Sequence, residues 1–282
     1  MIFQLVCILS LGFLLFGCSG ESSDVSSDGS SCTLSANTSP TSTENSFGCV
    51  LVTRDSTSCL SARTAQGLSG FWLKFSCRVT LTKSGTNVTM SSDNRPDHVS
   101  VYFNSTDACY EEFIDSIRRP NPNNISLKTV SVTVPITPSG SSLPMGGGAV
   151  GLAVNGVSLF SNAAAPEDDI YNEIATFDKC EGHPQLSGQY HYHSEPPSIS
   201  NSDSKFIGVM RDGYPIYGRK DINGTSPSNL DASGGHTAVT EDSSGISVYH
   251  YHANLQSDGT DSAYFLTTGT YKATIGSCTG CK

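Results

Sequence analysis

The sequence predicts a mainly β protein, an internally duplicated set of β-hairpins and strands forming a disulfide-stapled β-sandwich or barrel-like domain with few short helices. Three observations predict it. Short runs rich in branched and aromatic residues alternate with Gly, Ser and Asn clusters, the pattern of strands and turns. One block of signatures occurs twice, from Gly151 to His193 and from Gly208 to His252. Of the 10 cysteines, Cys7 and Cys18 belong to the N-terminal leader, and the remainder is an even set: Cys32, Cys49, Cys59, Cys77, Cys109, Cys180, Cys278 and Cys281. In an exported chain such a set argues for up to four disulfides, whose connectivity spacing alone does not determine.

Taken in order, residues 1–18 read as a signal peptide with a lipobox. Met1 to Gly17 is an apolar run too short to span a bilayer comfortably. It ends Leu15-Phe-Gly-Cys18-Ser19, so Cys18 is the candidate lipidation site, with an ordinary cleaved signal peptide as the alternative. Either way the mature chain is extracytoplasmic, as an anchored envelope lipoprotein, outer-membrane or surface, or else secreted. Residues 19–46 are Ser-rich with almost no apolar content, cannot offset their ordering entropy, and read as a disordered tether. Residues 47–282 are the folded β domain, with strand-like runs at 49–53, 71–82, 98–103 and 127–135. Tyr110 to Arg119 reads as a short helix stopped by Pro120.

Charge narrows the function classes. With Lys+Arg 16 against Asp+Glu 26 the net charge is −10, which disfavours nucleic acid and anionic membrane surfaces as partners, leaving an N-terminal lipid as the only membrane contact. The glycines Gly146-Gly-Gly148 lack the spacing and the following Lys of a phosphate-cradling loop. Cys278-Thr-Gly-Cys281 reads as structural, one or both cysteines pinning the tail to earlier ones. Protein partners are not readable.

Each copy of the duplicated block holds a hairpin decapeptide, an Asp-x-Cys/Ser-x-Gly-His hexapeptide and a Tyr-His-Tyr-His tetrapeptide. Asn155-Gly156 and Asp212-Gly213, flanked by apolar residues, are two-residue hairpin signals in which both turn positions take positive φ. On a strand alternate side chains face opposite ways, so His191 and His193 share one face while Tyr190 and Tyr192 share the other. The same holds for His250 and His252 against Tyr249 and Tyr251. Of the 7 histidines only His98 lies outside the duplicated frame.

The double Tyr-His-Tyr-His, the Gly-His before each, Ile207-Gly-Val-Met-Arg-Asp-Gly-Tyr-Pro-Ile-Tyr-Gly218 and Asn94-Arg-Pro-Asp-His98 together resemble the YHYH-domain family of secreted proteins, over roughly residues 75 to 282. The chain departs from the repeat at Ser233, where the first copy has Cys180 and where the resemblance implies Cys. The resemblance brings no established activity, so function rests on the side chains.

Imidazoles in two like triplets, without thiolates, suit copper or zinc. The candidate ligands are His183, His191, His193, His236, His250 and His252, building one shared site or two. Asp178, Asp231 and Asp212 are candidate orienting carboxylates or general bases, Asp178 and Asp231 alternatively Asx-turn residues. His98, Arg211, Tyr214 and Tyr217 are candidates for a pocket, His98 also for a seventh ligand or a turn cap. The expected function is transition-metal binding. The alternatives are a metal-dependent hydrolase- or oxidase-type enzyme, or a structural module with a hydrogen-bonded histidine network. Whether the chain is an enzyme stays open here.

Overall fold

The computed structural model describes Cys32 and residues 48–112, 118–165 and 168–281. The signal segment with Cys18, the tether apart from Cys32, and the middle of the expected 110–119 helix lie outside the described residues. A short helix α1 (Leu60–Ala65) and a 3-10 turn (Gly70–Lys74) precede β1 (Thr80–Ser84), β2 (Asn87–Ser92), β3 (Val130–Pro135), β4 (Leu143–Pro144), β5 (Ala149–Ala153) and β6 (Ser158–Phe160). Helix α2 (Ile170–Glu173) and a second 3-10 turn (Ile174–Thr176) lead to β7 (Gly182–Pro184), β8 (Tyr190–Tyr192), β9 (Phe206–Met210) and β10 (Pro215–Tyr217). Then come β11 (Gly235–Val239), β12 (Ser247–His252), β13 (Asn254–Ser257), β14 (Ser262–Phe265), β15 (Thr270–Tyr271) and β16 (Ser277–Thr279).

The alternation read over 127–135 becomes β3, whose valines 130, 132 and 134 are buried while the residues between them are half-buried. The run at 71–82 is a strand only from Thr80. Gly70, at φ 59, turns the chain into a 3-10 helix that stacks Phe71 on Phe206 and Trp72 on Phe75. Residues 49–53 and 98–103 contribute isolated bridges, Leu51 with His98 and Ser100 with Tyr110, instead of continuous strands.

Two sheets carry the fold. A four-stranded sheet runs β1-β2-β3-β16, and an eight-stranded sheet runs β11-β12-β10-β9-β5-β6-β8-β7. The second order reads the same outward from its centre in both directions: β5 and β9 pair antiparallel, each pairs with its hairpin partner β6 or β10, and each partner pairs parallel with a Tyr-His-Tyr-His strand, β8 or β12. The sequence duplication is therefore a pseudo-two-fold of one continuous sheet. The central register agrees, because Gly151 faces Met210, Ala153 faces Gly208 and Leu152 faces Val209 on the axis.

Both sheets contribute to one buried cluster. Val88, Met90, Val130, Val132 and Val134 of the first meet Leu152, Ile207, Val209, Tyr190, Tyr192 and Tyr251 of the second, giving a sandwich-like core in which each fully buried aliphatic side chain contributes about 1.5–3 kcal/mol. The hairpin turns differ in detail from the two-residue form. Only Gly156 (φ 91) and Gly213 (φ 92) take positive φ, Asn155 and Asp212 do not, and Gly156 N–H donates to Ala153 O as Gly213 N–H does to Met210 O. This is a three-residue loop closed by a left-handed glycine, which a single Gly satisfies.

At the axis the two strands approach too closely for a side chain on either glycine. A Cβ on Gly208 would lie 2.3 Å from Leu152 O, and one on Gly151 2.7 Å from Val209 O. Backbone cannot yield as a flexible side chain does, so Gly208→Ala is expected to cost about 2–3 kcal/mol. A shift of the denaturant midpoint reads this out; an unchanged midpoint would show that the strands part freely.

The cysteines pair Cys32–Cys109, Cys49–Cys180, Cys59–Cys77 and Cys278–Cys281. The last corrects the expectation that Cys278 or Cys281 would pin the tail to earlier cysteines. The tail is instead held by hydrogen bonding, β16 against β3 and Ala149 N–H to Cys281 O, which leaves the two thiols to close on each other. Disulfides throughout fit an oxidising, extracytoplasmic compartment. Among the described residues no helix is long and apolar enough to cross a membrane.

Candidate metal centres

Each histidine triplet is assembled by strand pairing. In the antiparallel β7–β8 ladder His183 stands directly opposite His191, and His193 follows two residues on along the same face. In β11–β12 His236 stands opposite His250, with His252 two residues on. The triplets lie at opposite ends of the eight-stranded sheet, so the duplication builds two centres and not one. All six histidines are at most 7% exposed.

The hydrogen bonds of the Nδ1 atoms decide what the Nε2 atoms are. His191 Nδ1 faces Gln189 O at 3.0 Å, His193 Nδ1 faces Ser161 O at 2.5 Å, His250 Nδ1 faces Val248 O at 2.9 Å and His252 Nδ1 faces Gly218 O at 2.6 Å. A carbonyl oxygen only accepts, so each of these nitrogens carries the proton. His183 Nδ1 lies 2.6 Å from Thr176 Oγ1, whose own hydrogen is donated to Glu173 O, leaving the hydroxyl oxygen to accept. His236 Nδ1 donates to the Asn229 side-chain oxygen at 2.8 Å. In the neutral rings all six Nε2 atoms are therefore bare lone pairs.

These lone pairs converge. His191 Nε2 lies 3.0 Å from His183 Nε2 and 2.9 Å from His193 Nε2. His236 and His252 Nε2 are 3.2 Å apart, with Asp221 Oδ1 at 3.1 Å, 3.4 Å and 3.9 Å from the Nε2 atoms of His236, His252 and His250. No proton is available to make hydrogen bonds of the nitrogen contacts, and facing lone pairs repel unless a cation lies among them. Tetrahedral zinc–imidazole bonds of about 2.0–2.1 Å put ligand nitrogens about 3.3 Å apart, close to what is found. Burial, which penalises a charged ring, holds His183 down to about 3, and His193 and His250 down to about 4; it also lowers His191 and His252. These five rings are thereby held neutral, the ligand form. The donor atoms of each set, His183, His191 and His193 in one and Asp221, His236, His250 and His252 in the other, lie within 4.8 Å of one another, so each set can hold a metal ion.

The carboxylates predicted to serve the histidines are elsewhere. Asp178 Oδ1 accepts from Cys180 N–H at 2.8 Å and Asp231 Oδ1 from Ser233 N–H at 2.9 Å, shaping the loop before each Gly-His. Both also accept from the first tyrosine of the tetrapeptide, Tyr190 to Asp178 at 2.8 Å and Tyr249 to Asp231 at 3.0 Å. Asp212 accepts from Tyr251 and from the Tyr214, Lys272 and Ala273 N–H groups; burial raises its pKa. All three are turn or loop residues whose carboxylates are taken up by tyrosine hydroxyls on the strand face opposite the histidines, and not by the imidazoles.

His98 is on that face too. It is fully buried, with Nε2 2.9 Å from Tyr192 Oη and Nδ1 2.9 Å from Val99 O, so it is not a seventh ligand. Tyr192 Oη also accepts from Asn155 Nδ2 at 3.1 Å. The turn residues Asn155 and Asp212 thus dock the second tyrosine of their own copies, which explains why hairpin and tetrapeptide occur together. Arg211 reaches Gly276 O at 3.3 Å. Tyr217 is buried against His250, ring centroids 5.3 Å apart, with its hydroxyl on Asp242 at 3.0 Å. Tyr214 lines a separate cavity of about 500 Å³ with Tyr249 and Trp72.

Four residues that the sequence reading passed over adjoin the centres: Glu173 and Thr176 at the first, Asp221 and Asn229 at the second. Thr176 and Asn229 each precede their Gly-His histidine by seven residues, a signal present in the repeat. Glu173 and Asp221 lie in insertions of unequal length, where no alignment of the copies pairs them.

Residues 131–230 match the family model described as YHYH protein. The fold and paired histidine strands thus define a disulfide-stapled β protein with two histidine centres, and residues 131–230 are similar to the YHYH family. The match is narrower than the spread of shared motifs, and the second Tyr-His-Tyr-His lies beyond it. No curated protein and no solved structure matches the chain.

Proposed function

We propose that this chain is an extracytoplasmic transition-metal-binding protein, taking one copper or zinc ion at each histidine triplet and held to the membrane through a lipid on Cys18. The observation that carries the reading is the convergence of bare Nε2 atoms, twice, with every Nδ1 proton committed to an oxygen acceptor. All-nitrogen sets with a carboxylate, and cysteines spent in disulfides, suit Cu(II) or Zn(II). The histidines would hold the ion and the protein would supply preorganised, desolvated imidazoles. A hydrogen-bonded histidine network needs a proton between Nε2 atoms, and those protons are on Nδ1. A metal-dependent enzyme is the second reading, favoured by a cavity of about 650 Å³ that reaches His183, His191 and His193.

Elemental analysis of the full chain, made in an oxidising compartment without a His-tag and offered copper and zinc, tests this. Two ions per chain are expected, with one lost in His191→Ala/His193→Ala and the other in His250→Ala/His252→Ala. A metal-free parent, after excess is removed, would end the metal reading.

A further inference from the structure

The two centres differ in what occupies the fourth corner. At the second, Asp221 Oδ1 lies between 3.1 Å and 3.9 Å from all three Nε2 atoms, so the protein itself supplies a fourth ligand. At the first, the nearest carboxylate is Glu173, whose Oε2 stands 3.6 Å from His183 Nε2 and 3.6 Å from His193 Nε2 and flanks the triplet without joining the set of mutually close donors. The triplet opens on the cavity of about 650 Å³, which Glu173 and all three histidines line together. Its walls mix the carboxamides of Asn121, Asn123 and Gln185 with the apolar side chains of Met145, Phe160 and Leu186.

We infer that the first centre is an open-coordination site whose fourth position takes an exogenous small nitrogen or oxygen donor entering through this cavity, while the second is a closed, protein-saturated site. The inference rests on the metal-binding reading above. Three protein ligands plus an exchangeable position is the arrangement of catalytic metal sites, and four protein ligands that of structural ones. Glu173 flanks the open corner at hydrogen-bonding range of whatever donor binds, where a carboxylate can orient it or take its proton. The cavity is wide enough for a donor molecule larger than water.

Gly147 allows a test that leaves the ligands alone. It lines the cavity, has no atom within 4 Å of an added Cβ, and is not at positive φ, so Gly147→Phe fills the entrance without backbone strain. The measurement is an azide titration of copper-loaded chain, followed by the azide-to-copper charge-transfer band, with copper content determined first. Wild type and His250→Ala/His252→Ala are expected to develop the band. His191→Ala/His193→Ala is expected to show none, and Gly147→Phe at least a tenfold weaker azide affinity at unchanged copper content. Copper at two per chain with no azide band, a band surviving in His191→Ala/His193→Ala, or Gly147→Phe titrating like wild type would overturn this inference while leaving metal binding standing. A copper-free wild type would overturn both, and the copper determination tells these cases apart.

Discussion

Metal-free protein is expected to lose stability steeply as the pH falls from about 6.5 towards 4. In the unfolded chain His183, His193 and His250 titrate near their ordinary value of about 6.5; in the fold, burial holds them at about 3, about 4 and about 4. Above 6.5 the rings are neutral in both states and contribute no difference. Below it the unfolded chain takes up protons that the folded chain refuses, so each such ring destabilises the fold by about 1.4 kcal/mol per pH unit until its folded-state value is reached. Denaturant midpoints of the metal-free protein between pH 7.5 and 4.5 measure this. A flat profile would mean that the rings are solvated and the triplets not preorganised. Metal bound at the triplets would raise the curve by mass action, about 4 kcal/mol when free ion exceeds its dissociation constant a thousandfold.

Removing the Cys49–Cys180 disulfide should cost nearly as much and act on one centre. The bond spans 131 residues, and the loop-closure estimate for such a span is about 5 kcal/mol. Cys180 lies in the Asp178–His183 loop that sets the start of β7, and both sulfurs are buried. Cys49→Ser/Cys180→Ser is expected to lower the denaturant midpoint sharply and to weaken metal retention at the first triplet more than at the second, whose equivalent position is Ser233. Equal loss at both triplets would show that the disulfide serves the whole fold and not its own loop.

The asymmetry at Ser233 also illustrates how function and scaffold divide between the copies. The segment carrying Cys49 is tied to the first copy by the Cys49–Cys180 disulfide and to His98 by the Leu51 bridge. There the second tyrosine leans on His98, whereas in the second copy Tyr251 leans on Asp212 and Lys272 N–H.

What the sequence alone determined is local and periodic. The i,i+2 spacing put His191 with His193 and His250 with His252 on one strand face and the tyrosines on the other, because side chains alternate along any strand. The duplication, the mainly β class and the turn glycines follow from patterns a few residues long. Tertiary structure decided everything that depends on distance along the chain. Pairing of β5 with β9 separated the triplets into two centres instead of one. The folded paths of the loops before β7 and β11 and of the β9–β10 turn brought Asp178, Asp231 and Asp212 to the tyrosines. Glu173 and Asp221 reached the histidines from insertions of unequal length, where only the folded path of the chain, and no spacing, brings a carboxylate to a lone pair.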